Sequence, residues 1–111
     1  MSEYTPDKWV IIKVTGKNHP PIHRVFACWY GGWAGSDSWK INSGITKVNE
    51  NTDYFFFDGY SGSTYACRKG SYGLNMYGNS ILMNLREQLK AVDGTIDILD
   101  ENTNWLEINY E

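Results

Sequence analysis

Residues 22–30 read Ile22-His23-Arg24-Val25-Phe26-Ala27-Cys28-Trp29-Tyr30. With a period of two, Ile22, Arg24, Phe26, Cys28 and Tyr30 fall on one face of a strand, and His23, Val25, Ala27 and Trp29 on the other. Both faces carry apolar side chains, so this strand is expected to be covered on both sides rather than solvated on one. Upstream, Trp9-Val10-Ile11-Ile12-Lys13-Val14 is short and β-branched, which predicts another strand. Between the two, Thr15-Gly16-Lys17-Asn18-His19-Pro20-Pro21 turns the chain, because two prolines cannot continue a ladder.

Downstream, short strands are expected at Ser38–Ile41, Ile45–Asn49, Tyr54–Asp58 and Ser63–Arg68. Their connectors are Asn42-Ser43-Gly44, Glu50-Asn51-Thr52-Asp53 and Gly59–Gly62. That spacing suits an antiparallel meander, not βαβ units. Tyr54, Phe55, Phe56 and Phe57 put two rings on each face of one strand, which predicts a central position for it. At Asn79 the period changes: Ile81, Leu82, Leu85, Leu89 and Val92 form one apolar stripe on a helix. Asn79 or Ser80 can cap its start, and Asp93-Gly94 supplies the stop. Thr95–Leu99 reads as a last strand, with Trp105, Leu106 and Ile108 pinning the C-terminus. The expectation is one α+β domain over residues 1–111: a twisted antiparallel sheet of about six strands with one C-terminal helix packed on a face.

The chain is long enough for one core, and aromatics at 15% argue against disorder. No apolar run approaches the ~20 residues of a membrane span, and no signal-like segment opens the chain, so a cytosolic protein is expected. The net charge of −3 is unevenly spread. Residues 1–78 hold eight cations against six acids, and residues 79–111 hold Arg86 and Lys90 against seven acids. That balance does not make the basic stripe that duplex DNA binding needs. Cys28 and Cys67 read as reduced, buried thiols. With His19 and His23 they lack the close spacing of a zinc site, so neither metal nor cofactor is expected.

The chemistry that remains lies in the loops. Tyr60-Ser61-Gly62-Ser63 can form a nest of N–H groups and hydroxyls for an anion, with Arg68 and Lys69 close in sequence; equally, it can be a hairpin turn in which Gly62 supplies positive φ. Trp33 and Trp39, flanked by Gly31, Gly32, Gly35, Ser36 and Ser38, can stack on a base or sugar, or plug a sheet end or a subunit contact. Lys40-Ile41-Asn42-Ser43-Gly44 places a cation, an amide and a hydroxyl around one turn, which is also an ordinary turn sequence. Trp9, Trp29 and the rings at 54–57 are core candidates. No spacing matches a Rossmann or P-loop nucleotide site, and no motif fixes a catalytic partnership for either histidine.

These residues resemble small proteins of tailed bacteriophages of T4-like and marine cyanobacterial type. The resemblance rests on Tyr4-Thr5-Pro6-Asp7 before Trp9-Val10, on Gly31-Gly32 before Ser36-Asp37-Ser38-Trp39, on Asn42-Ser43-Gly44-Ile45, and on Ser61-Gly62-Ser63 with Tyr65, Cys67, Lys69 and Tyr72-Gly73. It spans roughly residues 4–73 and implies a viral protein made in a host bacterial cytoplasm, where such proteins act on the host, including by capturing nucleotide signals of immune systems.

The functional expectation is a non-catalytic binding protein, a counter-defence sponge that sequesters a small phosphorylated or nucleotide ligand in a homo-oligomer. Trp33, Trp39 and Tyr60 stack, Ser43, Ser61 and Ser63 donate, and Lys40, Arg68 and Lys69 neutralise charge. Its rival is a protein-binding inhibitor or virion accessory protein that uses the same aromatics as an interface patch. Neither duplex DNA nor a membrane is an expected partner.

Overall fold

The computed structural model describes residues 2–32 and 35–110. The strands are β1 (Glu3–Tyr4), β2 (Lys8–Thr15), β3 (Ile22–Trp29), β4 (Ser38–Ile41), β5 (Ile45–Glu50), β6 (Tyr54–Gly59), β7 (Thr64–Arg68) and β8 (Thr95–Ile98). The helix α1 spans Met76–Lys90, and a short 3₁₀ turn follows at Trp105–Glu107. The α+β class and the C-terminal helix on a sheet face are as the sequence led us to expect.

The strands form two four-stranded sheets rather than one. An inner sheet has the order β4-β3-β2-β8 and an outer sheet the order β1-β7-β6-β5. All pairings are antiparallel except that of the two-residue β1, which runs parallel to β7. The chain changes sheet at Asn42-Ser43-Gly44, between β4 and β5. Periodicity assigns side chains to faces but not strands to partners, so this step was not readable from the pattern.

Three layers follow from the alternation in β2 and β3. Trp9, Ile11, Val25 and Ala27 point toward the outer sheet and pack with Ile45, Phe57, Tyr65, Cys67 and Trp105. Val10, Ile12, Phe26 and Cys28 point the other way and pack with Leu82 and Ile96 under α1. The inner sheet is thus covered on both faces, as the two-sided apolar pattern of residues 22–30 demanded. Cys28 and Cys67, both free, sit in different layers and cannot pair.

Of the ring-bearing strand, β6, only half serves this core. It is internal in its sheet, and Phe57 is fully buried with Phe55 packed beside it. Phe56 faces outward against Tyr54, at 6.1 Å between ring centroids, so its assignment to the core is corrected. Trp9 is the hub of the aromatic cluster, with Phe55, Phe57, Tyr72 and Trp105 around it and its Nε1 donating to the Arg68 carbonyl at 2.8 Å. The Tyr72 hydroxyl bridges β2 to the chain after β8: it accepts from the Ile11 amide at 3.1 Å and donates to the Leu99 carbonyl at 2.6 Å.

Helix α1 begins four or five residues before the caps at Asn79 or Ser80 that the apolar stripe suggested. Asn75 is its N-cap, with Oδ1 accepting from the Gly78 amide at 2.6 Å. It ends at Lys90, short of Val92, which the stripe had included and which is exposed, and Asp93, not Gly94, takes the left-handed conformation at φ 60°. The Val92 and Gly94 amides then both donate to the Leu89 carbonyl, satisfying the last turn.

Candidate functional site

The anticipated site residues fall into three places. Trp33 lies outside the described residues. Trp39, on β4, is stacked on Phe26 with 5.5 Å between centroids and 10° between planes, and packs into the helix-side core. Its neighbour Lys40 points to the opposite face, with Nζ 5.0 Å over the Tyr4 ring.

Ser43, Tyr60, Ser61 and Ser63 do come together. The Ser61 amide donates to Ser43 Oγ at 2.9 Å, and the Tyr60 amide to the Gly44 carbonyl at 3.1 Å. Gly62 carries φ 91° and its amide donates to the Gly59 carbonyl, while the Gly59 amide donates to the Ser63 carbonyl. The segment is therefore a hairpin turn closed on itself, the plainer of the two sequence readings. The Tyr60 ring remains 66% exposed above Gly44.

Arg68 and Lys69 are not near that turn. They leave the far end of β7, and a five-residue strand at ~3.3 Å per residue separates them from it by more than ~13 Å. Both are engaged there: Arg68 Nη2 donates to the Tyr54 hydroxyl at 3.0 Å, and Lys69 Nζ meets the Glu50 carboxylate at 2.6 Å. Adjacency in sequence after a turn did not mean adjacency in space, because the intervening strand carries them away.

A better-formed site lies between α1 and the inner sheet. Leu85 and Leu89 of α1 overhang Val14, Arg24, Ile41 and Ile96, leaving an open apolar cleft of about 300 Å³. The row Ile22, Arg24, Phe26, Cys28 faces the helix, so Arg24 rises among apolar side chains. It is half-buried and forms no ion pair among the described residues, and no carboxylate lines the cleft. Its Nη1 donates to the Asn42 carbonyl at 2.9 Å, which turns the guanidinium toward the Ser43–Tyr60 turn. The sequence signal for Arg24 is a lone cation in an otherwise apolar alternating row.

Asn42 links cleft and turn. Its backbone amide donates to the Val25 carbonyl at 3.0 Å and its Oδ1 accepts from the Val25 amide at 2.9 Å, so its side chain extends the ladder one step past β4. It is 3% exposed, and its Nδ2 has no partner. An orphaned buried donor costs about 1–3 kcal/mol. The amide lies against Gly59, where a Cβ would stand 3.3 Å from Nδ2 and 3.1 Å from Ser43 Oγ. It is on the inter-sheet side of the strand, so it supports the turn from beneath and does not open into the cleft.

Neither thiol is an activated nucleophile. Burial pushes the Cys28 thiol up to about 11 and the Cys67 thiol well above its ordinary value, so both are protonated at neutral pH. His23, edge-on to Tyr110, is held below its usual range by burial and then by Lys13. Among the described residues, no group of three or more His, Cys, Asp or Glu side chains could hold a metal ion. Comparison with protein-family models, with curated proteins and with solved structures gives no match.

Proposed function

We propose that this chain is a non-catalytic binding protein that sequesters a small phosphorylated ligand, a nucleotide in the favoured case, with its flat body in the α1 cleft and its anionic group on Arg24. The observation that carries the reading is a half-buried, unpaired guanidinium on the floor of an apolar cleft of about 300 Å³. Ligand sites typically combine a mostly apolar lining with a few placed polar groups, at volumes from about 300 Å³ upward. A guanidinium recognises phosphate by paired N–H donors, and low local polarity strengthens that contact. Ser43 and Tyr60, reached through the Asn42 peptide, extend the surface available to a ligand larger than the cleft. The resemblance to phage proteins supplies the setting, a sponge for a host nucleotide signal.

A thermal-shift titration with cyclic nucleotides, ADP-ribose derivatives and inorganic phosphate tests this. A ligand at 100 times its Kd should stabilise the fold by about 2.7 kcal/mol. Arg24→Gln should remove the shift, and denatured protein should release the ligand unchanged. No shift with any of these compounds, together with no nucleotide released from freshly purified protein, overturns the reading; consumption of the ligand replaces it with an enzyme.

A further inference from the structure

The α1 cleft has two walls, and each carries one polar side chain. Arg24 rises from β3 on the sheet side, and Gln88 stands on the helix side. All the other lining side chains are aliphatic, Leu85 and Leu89 of the helix among them. Leu85, Gln88 and Leu89 fall at i, i+3 and i+4, so the carboxamide shares the face of α1 that overhangs the cleft. Gln88 is exposed, and its carboxamide has no hydrogen-bond partner among the described residues. It is therefore available to whatever enters.

A carboxamide presents a donor and an acceptor side by side. Its complement is an edge with the same pair reversed, which adenine offers through its 6-amino group and the ring nitrogen beside it. A phosphate offers acceptors, and its partner on the opposite wall is Arg24. The aliphatic lining then discriminates among bases. Guanine paired with Gln88 through its carbonyl and neighbouring ring N–H leaves a 2-amino group against side chains that hold no acceptor. A buried donor without a partner weakens binding by about tenfold. Pyrimidines, being smaller, cover less of the apolar wall. Adenine brings the larger ring system and a single donor group, and Gln88 satisfies that group.

We infer, resting on the nucleotide reading above, that Gln88 reads the edge of the ligand's base and that this base is adenine. Arg24 holds the phosphate on the sheet wall, the aliphatic side chains cover the ring faces, and Gln88 sets the specificity from the helix wall.

The test is isothermal titration calorimetry with AMP, GMP and purine riboside monophosphate, the AMP analogue that lacks the 6-amino group. AMP should bind about tenfold more tightly than either, the discrimination expected of one paired base edge. Gln88→Leu exchanges one good helix former for another at an exposed position. It should weaken AMP to the level of the analogue without abolishing binding, whereas Arg24→Gln should abolish binding of all three. Equal affinity of the unaltered protein for AMP and the analogue overturns the inference and leaves the nucleotide reading standing. So does GMP binding as tightly as AMP, or a Gln88→Leu protein that keeps the parent's preference. No binding of any of the three overturns both. The comparison of AMP with its analogue uses the unaltered protein, so it decides the matter whatever the stability of the variants.

Discussion

At Gly78 the helix lies close against Cys28 of the inner sheet, and replacing it tests the three-layer packing directly. A Cβ at this position would stand 2.1 Å from Cys28 Sγ and 3.0 Å from Asn75 Oδ1, the atom that caps the helix. On helix propensity alone, Gly78→Ala should stabilise by at most about 1 kcal/mol. The contact with Cys28 reverses the sign. Cys28 is fully buried on β3 and cannot swing away, so the first turn of α1 must lift and strain its cap. Overpacking of this kind costs about 1–3 kcal/mol. At about 4 °C per kcal/mol for a chain of this length, Gly78→Ala should lower Tm by about 4–12 °C. Removing the sulfur relieves the larger contact, since Cys28 Cβ is 3.5 Å away, and leaves the tighter-than-usual 3.0 Å approach to Asn75 Oδ1. In the double variant Cys28→Ala with Gly78→Ala, the alanine at 78 should therefore cost less relative to Cys28→Ala alone than it does beside the native Cys28. Urea unfolding of all four proteins closes the cycle, with an expected coupling of about 1–3 kcal/mol. A Gly78→Ala protein more stable than the parent, or a coupling near zero, would refute the placement of α1 on β3.

Three further outcomes are expected. Stability should fall on the alkaline side: burial raises Cys28 to about 11 and Tyr65 and Tyr72 to about 12, so their contribution is whole below their unfolded values and is lost as pH climbs through the folded ones. Tm followed from pH 8 to pH 11 should decline, and a flat profile contradicts the burial. Trp105→Ala should cost about 3–5 kcal/mol in urea unfolding, because it empties the site at which Trp105 meets Trp9, Phe57 and Tyr72; a loss below about 1 kcal/mol would mean the C-terminus is not docked. Arg68→Ala and Lys69→Ala should each change stability by less than about 1 kcal/mol and leave nucleotide titrations unchanged, in contrast to Arg24→Gln. Loss of binding in either would move the ligand to the other end of the outer sheet.

Much of the local structure was legible, because each element imposes its own period. The strand at Ile22–Trp29 declared itself two-sided, the Ile81-to-Leu89 stripe declared a helix, and the buried thiols followed from composition. The site was less legible. Trp39 looked like a loop ring beside glycine and serine, yet Phe26 lies parallel beneath it; Arg68 and Lys69 looked adjacent to the Ser61–Ser63 turn, yet a strand separates them. Arg24 stands out in the sequence as a lone cation in an apolar row, but only the position of α1 makes a cleft beside it.

The sequence by itself determined which side chains share a face, where the chain must turn, and that residues 22–30 lie between two apolar layers. These are short-range consequences of backbone geometry and of the burial of apolar surface. Tertiary structure alone decided that Asn42-Ser43-Gly44 carries the chain from one sheet to the other, that Phe56 faces outward while Phe57 is buried, and that a cleft opens beside Arg24. Those outcomes depend on which strands pair and where one helix comes to rest, and pairing energies between distant segments leave no period in the sequence.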